Sequence, residues 1–298
     1  MHQLNIPVTA AQADLLEAHF CEDYQEHWML FENEKLKTHE LRGYFADEAE
    51  AVAGYGELRE TFSDLPALEA ESGRVLEDTE WKDAYKLHFK PWSDRGLHFV
   101  PEWERASYAL PAGEEIILLD PGMAFGTGNH ETTRLCIHRL LDVREAWQGE
   151  VAEKSVIDAG CGSGILAIAA VKAGFGGEVF AFDNDPDSVR IAGENAELCE
   201  VAGRIEYCWC DLLEGLADRS ADVLLANILA PVLTAHSGLL LGAVAPGGAL
   251  ILSGILAEEV AGVAAHFAAE AKAVWGSDGG PATHVDGQWA DVLMWRPV

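Results

Sequence analysis

The sequence predicts an α/β chain in two parts, a doubly wound parallel sheet with a smaller α+β domain ahead of it. Three observations carry this. Ser155 to Gly164, Ser-Val-Ile-Asp-Ala-Gly-Cys-Gly-Ser-Gly, leads a short apolar strand into three alternating glycines, and Ile165 to Ala173 after it is built of helix formers. A second short strand, Glu178 to Phe182, then ends at the acid Asp183. With 298 residues, 49% of them hydrophobic, the chain is long enough for two domains, one large enough to hold such a sheet.

From the N-terminus, Leu4 to Thr9 reads as a strand, and Ala10 to Cys21 as a helix gathering Leu15, Leu16 and Phe20 on one side. His19 then sits on the solvated face. Trp28 to Phe31 and Glu40 to Phe45 are strand candidates. Asp47 to about Thr61 reads as a helix that opens with acids suited to its positive end. A last strand near Gly73 to Leu76 completes the order β-α-β-β-α-β, a split βαβ sandwich of ferredoxin-like type, which by itself says little about function.

An aromatic-rich connector follows, Trp81 to Trp92, with Leu97 to Val100 and Pro101-Glu-Trp103 behind it. Its three lysines, Lys82, Lys86 and Lys90, are few for a nucleic-acid surface, and Asp83, Asp94, Glu102 and Glu104 surround them. It reads as an interdomain segment burying its rings. Next, the strand from Ile116 enters a loop carrying Gly122, Gly126 and Gly128, and a helix begins near Glu131. Thr132 and Thr133 place hydroxyls in the first turn of that helix, where they either cap free amides or reach a bound ligand. His130 is either a proton acceptor or a residue that orders the loop.

At the glycine corner, Gly160, Gly162 and Gly164 let the backbone approach a ligand, and Asp183 is placed to accept both hydroxyls of a ribose. A nicotinamide fingerprint needs its third glycine at the position of Ile165, whereas here it falls one residue early, at Gly164. Downstream, Arg204 to Cys210 is a strand followed by Asp211, which either reaches an adenine amine or caps the next helix. Val223 to Ala226 is a strand that puts Asn227 at its C-terminal end, the edge where doubly wound folds bind ligands. Ala249 to Ser253, Ala271 to Trp275 and Trp289 to Trp295 read as the remaining strands, with an alanine-rich helix from Ile255 to Glu270.

Composition excludes several classes. Fifty acids against twenty bases give a formal net charge of −30, with an acidic excess on both sides of Leu110. Direct nucleic-acid binding is therefore disfavoured, and a cationic protein partner is attracted. The six cysteines lack any Cys-x-x-Cys pair and read as reduced thiols of a cytoplasmic protein, and no metal site is expected. The N-terminus lacks the basic patch and apolar block of a secretory signal. Asn227 to Ala257 carries no charge, but Pro231, Pro246, Gly247 and Gly248 divide it into core elements rather than a membrane span.

Asp158-Ala-Gly-Cys-Gly-Ser-Gly164 resembles the first motif of class I S-adenosylmethionine-dependent methyltransferases, whose sheet is Rossmann-like and whose last strand runs antiparallel to the rest. Together with Asp120-Pro-Gly-Met-Ala-Phe-Gly-Thr-Gly-Asn-His-Glu-Thr-Thr133 and Ala226-Asn-Ile-Leu-Ala230, it is similar to the PrmA-type methyltransferases that modify large-subunit ribosomal protein eleven. Within that loop Asn129 stands where the family usually has threonine, and Glu131 where it usually has proline.

The resemblance implies S-adenosyl-L-methionine as cofactor, with Thr133, Gly160, Gly162, Asp183 and Asn227 around it. It assigns no catalytic acid or base. The implied activity is methyl transfer to amines of a basic ribosomal protein, lysine side chains or the N-terminal amine, with another protein lysine or a small molecule as the alternative acceptor. The implied domains are substrate recognition in residues 1–80, a connector in 81–110 and the cofactor domain in 111–298. Asn-Ile-Leu-Ala at 227–230 offers no ring to stack a flipped base, which counts against nucleobase methylation.

Overall fold

The computed structural model describes residues 2–13, 15, 16, 27–33, 38–68, 73–75, 90–119 and 130–298. The chain forms two compact units, Met1–His88 and Phe89–Val298. Readings that fall on His19, Phe20, Cys21, Leu76, residues 81–89 or the glycine loop at 120–129 lie outside the described residues.

In the first unit, strands β1 (His2–Val8), β2 (Trp28–Asn33), β3 (Thr38–Phe45) and β4 (Gly73–Val75) form an antiparallel sheet in the order β2-β3-β1-β4. Residues 10–13, 15 and 16 are helical after β1, and helix α1 (Glu48–Thr61) joins β3 to β4. This is the ferredoxin-like order expected from the sequence. Asp47 caps α1 by accepting the Glu50 N–H at 2.9 Å. Ile6, Leu16, Trp28, Leu41, Phe45 and Tyr55 pack the core. Leu15 is 57% exposed, unlike the neighbouring Leu16. Adjacent helical residues point about 100° apart, so Leu16 can face the core while Leu15 faces solvent.

The second unit begins earlier than the sequence suggested. Strands β5 (Trp92–Asp94), β6 (Leu97–Pro101) and β7 (Glu115–Leu119) form a small sheet in that order, with β6 and β7 parallel. Phe99 and Val100 join the core beside Leu118, and Trp92 stacks on Phe99 at 4.0 Å. Residues 90–110, read as part of a connector, thus belong to this unit.

Its main sheet holds seven strands: β8 (Val156–Ala159), β9 (Val179–Asp183), β10 (Ile205–Trp209), β11 (Ala221–Asn227), β12 (Val244–Leu256), β13 (Ala282–Asp286) and β14 (Trp289–Trp295). Their order is β10-β9-β8-β11-β12-β14-β13, parallel from β10 through β12, with β14 antiparallel to both its neighbours. Order therefore reverses beside β8, which makes its C-terminal end a switch point.

Both faces are covered. Helices α2 (Glu131–Ala146), α3 (Ile165–Lys172) and α4 (Pro186–Leu198) pack one face together with Val156, Val223, Leu225 and Ile251. The alternate residues Ile157, Leu224, Ala226 and Leu252 meet α6 (Ala230–Ala235), α7 (Ser237–Gly242) and α8 (Val260–Val274) on the other, where the short α5 (Leu212–Leu216) also lies. This period-two division explains why strands buried on both sides read as unbroken apolar runs.

One strand is misplaced in the sequence reading. Ala271 to Trp275 is the end and cap of α8, not a strand, because Val260, Val263, Ala264, Phe267 and Ala271 continue a helical stripe and alanine favours the helix. The strand in question is β13, whose residues are all exposed and so show no apolar alternation. Among the described residues no helix is long and apolar enough to cross a membrane.

Candidate functional site

A cavity of about 600 Å³ opens at the C-terminal ends of β8, β9, β10 and β11, lined by Gly160, Gly162, Asp183, Asp211, Asn227 and Trp289 among others. The sequence builds it from the glycine corner outward. The N–H groups of Gly160 and Cys161 donate to Phe182 O at 2.9 and 3.0 Å, which ties the turn after β8 to the end of β9. Gly160 has φ +73°, and a Cβ there would stand 2.6 Å from Ile228 Cγ2. Only glycine fits that cradle.

Asp183 is fixed twice. Its Oδ2 accepts the Gly162 N–H at 2.9 Å and its Oδ1 accepts the Asp185 N–H at 3.0 Å. A carboxylate oxygen can accept more than one hydrogen, so each keeps capacity for a hydroxyl. Behind the corner, Asp158 is fully buried and accepts the Ala167 N–H at 3.0 Å. Burial, opposed by that hydrogen bond and reinforced by the charge of Asp183, pushes its carboxyl up to about 7.

Asp211 lines the cavity and also caps α5, accepting the Glu214 N–H at 2.9 Å, so both roles open in the sequence are structurally available. Cys210 lines the cavity too, and burial beside Cys208 pushes its thiol up to about 12. A thiol raised in this way disfavours the thiolate, the form that acts as nucleophile.

At the mouth, His130 caps α2 through the Thr132 N–H, at 3.3 Å from its Nδ1. The Thr132 hydroxyl lies 2.8 Å from the same nitrogen and accepts from Asn227 Nδ2 at 3.2 Å. Asn227 caps no helix: α6 is capped by Leu229 without a side-chain bond. Its Oδ1 is buried and has no hydrogen-bond partner among the described residues.

Of the residues singled out in the sequence, Gly160, Gly162, Asp183 and Asn227 share this cavity, whereas Thr133 does not line it. Thr133 is buried with its Oγ1 unpartnered among the described residues, and Thr132 takes the cavity position. Trp289 and His236 were missed. Trp289 comes from the antiparallel end strand and packs edge-on to His130 at 5.0 Å. The exposed apolar pair Leu229 and Val232 also lines the cavity.

A glycine cradle, an acid with spare lone pairs and a concave volume of this size suit a nucleoside ligand. Among the described residues no group of three or more His, Cys, Asp or Glu side chains is placed to hold a metal.

Three comparisons bear on this site. The family model described as "Ribosomal protein L11 methyltransferase (PrmA)" matches residues 7–278. A protein named ribosomal protein L11 methyltransferase from Trichlorobacter lovleyi is 44% identical over 188 residues, 63% of this chain and 60% of that protein. One of the same name from Geobacter sulfurreducens is 41% identical over 244 residues, 78% of this chain and 76% of that protein. The chain thus spans less than two thirds of the length of the first of these relatives. The crystal structure of a ribosomal protein L11 methylase from Lactobacillus delbrueckii subsp. bulgaricus superposes with a TM-score of 0.58 at 32% identity, covering 70% of this chain and 100% of that one.

Proposed function

This chain belongs to the ribosomal protein L11 methyltransferase (PrmA) family, and from that premise we propose that it transfers methyl groups from S-adenosylmethionine to amines of ribosomal protein L11. The acceptors are lysine side chains and, second to them, the N-terminal amine. The observation that supports this most directly is Asp183, held by two backbone N–H groups at the cavity's edge with lone pairs left for a ribose.

The cofactor supplies, when bound, an electrophilic methyl group on a sulfonium. The chain's own residues do the rest. The glycine corner lies along the methionine part, Asp183 takes the ribose hydroxyls and Asp211 reaches the adenine amine. Asn227 Oδ1 and the carbonyls of Ile228 and Leu229 accept from the incoming amine and aim its lone pair, so positioning is the main contribution to rate. Presenting a lysine in its neutral form at pH 7 costs about 4 to 5 kcal/mol from a pKa near 10.4. Desolvation between Trp289, Leu229 and Val232 lowers that cost, and no strong base is needed.

Three further parts follow. The acidic surface attracts a basic ribosomal protein. The first unit recognises that substrate, since the described residues that line the cavity all come from the second. The enzyme works in the cytoplasm, where its thiols stay reduced.

The test is calorimetry of the full chain with S-adenosylmethionine and its demethylated product, followed by transfer of labelled methyl from the cofactor to purified L11. Heat with both compounds and label in L11 are expected. Absence of heat with either compound contradicts the cofactor assignment, and label in a different protein only contradicts the substrate.

A further inference from the structure

Building on the function proposed above, we infer that Thr132 is a positioning residue for the reaction. Its hydroxyl, oriented by His130, turns the Asn227 carboxamide so that Oδ1 is left for the methyl acceptor.

His130 Nδ1 accepts the Thr132 backbone N–H at 3.3 Å, so that nitrogen carries a lone pair rather than a proton. The Thr132 hydroxyl is 2.8 Å from the same Nδ1, and between a hydroxyl and a lone pair only the hydroxyl has a hydrogen to give. With its single hydrogen committed to His130, Oγ1 offers nothing but lone pairs toward Asn227, 3.2 Å away. Asn227 must therefore present its Nδ2, since the opposite turn would set two acceptors against each other.

The consequence falls on the far side of the carboxamide. Oδ1 is left buried with no hydrogen-bond partner among the described residues, on a side chain that lines the cavity. A buried carbonyl without a donor is costly, and a neutral amine brings the donor that satisfies it. The arrangement is held from outside: Trp289 packs against the His130 ring at 5.0 Å, and Thr132 itself is only 1% exposed. Thr132 need not touch the cofactor or the acceptor to act. It fixes which end of Asn227 they meet.

The experiment compares Thr132→Val, which keeps the shape and removes the hydroxyl, with Thr132→Ser, which restores it. Two readouts are taken. In protein labelled with 15N-asparagine and free of ligands, the side-chain NH2 signals of Asn227, identified by their loss in Asn227→Ala, should move and exchange faster in Thr132→Val while Thr132→Ser stays near the unaltered protein. In turnover, Thr132→Val should lose about tenfold or more in kcat while calorimetric affinity for the demethylated cofactor changes by no more than about twofold, with Thr132→Ser recovering most of the loss. A serine variant as slow as the valine variant, unmoved Asn227 signals in Thr132→Val, or affinity falling in step with kcat would each overturn the inference. An unaltered protein that neither binds nor turns over the cofactor would instead sink the proposed function, and the ligand-free NMR contrast would still decide whether Thr132 holds Asn227.

Discussion

Asp183 at the end of β9 accepts the backbone N–H of Gly162 in the turn after β8, at 2.9 Å. The bond makes the acid part of the corner that it faces, so the carboxylate and the loop geometry cannot be altered separately. Its other oxygen accepts from Asp185 N–H at 3.0 Å, so Asp183→Asn sets an NH2 against a backbone donor whichever way the amide turns. Asp183→Asn and Asp183→Ala should both weaken calorimetric binding of the demethylated cofactor by roughly 10- to 100-fold. Unchanged affinity in the asparagine variant would contradict the role.

Asp158 gives a pH prediction. Its folded carboxyl is raised to about 7 by burial, above the unfolded value of about 3.9. The folded state therefore binds the proton more tightly, and the stability this provides is complete below about pH 4 and lost as pH rises through about 7. Asp158→Asn does not titrate, so it should gain on the unaltered protein across that window, by on the order of 2–4 kcal/mol. Urea unfolding of both proteins at several pH values between the two limits measures the difference. A constant difference would show that Asp158 is not protonated on folding.

Two glycines should respond in opposite directions. Gly164 caps α3 with φ +77°, and a Cβ there would lie 2.8 Å from Ala192 Cβ and 3.1 Å from Ala192 Cα. Gly164→Ala meets both strain and a packed helix, and should lose about 1–3 kcal/mol. Gly193, inside α4, has open space where a Cβ would stand, with nothing within 4 Å of it among the described residues, and Gly193→Ala should gain about 0.5–1 kcal/mol. Thermal unfolding of the pair separates the two mechanisms.

Much of this was written locally in the sequence. The glycine corner, Asp183 and Asn227 were legible because each closes a short apolar strand, and the parallel sheet brings strand ends to one edge. What escaped depends on register between distant elements. Thr132 and Thr133 are equally plausible as sequence, and only the rotation of α2 decides that Thr132 faces the cavity. Trp289 reaches the site because β14 runs backwards beside β12, which no spacing along the chain records. β13 was hidden for the opposite reason, since an exposed edge strand carries no apolar pattern.

Arg139 and Asp291 form a pair that the sequence does not announce. Arg139 Nε is 2.7 Å from the carboxylate of Asp291, which is fully buried. Burial raises the Asp291 carboxyl, with Arg139 as the opposing influence. Arg139→Met removes the compensating charge and should destabilise the protein by about 3–5 kcal/mol at neutral pH. The loss should shrink as pH falls and Asp291 takes up a proton, because its folded carboxyl is already raised and rises further without Arg139. Denaturation at neutral and acid pH tests this, and an equal loss at both would rule out the buried charge as the cause.

The division of labour between the units makes the last prediction. The second unit has a packed core on each face of its sheet, and every described residue lining the cavity belongs to it. The first unit has a separate core of its own, built around Ile6, Leu41 and Tyr55. On the function proposed above, cofactor binding should therefore need no residue before Phe89, whereas recognition of a protein substrate needs more surface than a cavity sized for a nucleoside offers. A chain of residues 89–298 should bind the demethylated cofactor within about threefold of the full protein, since it keeps the whole site. The same chain should methylate L11 at least ~100-fold more slowly at limiting substrate, because the binding energy that presents the amine is gone. Steady-state transfer of labelled methyl to L11, with calorimetry on the same preparation, measures both. Methylation retained at the full rate would remove the first unit from substrate recognition, and binding lost together with methylation would mean that the second unit depends on the first to fold.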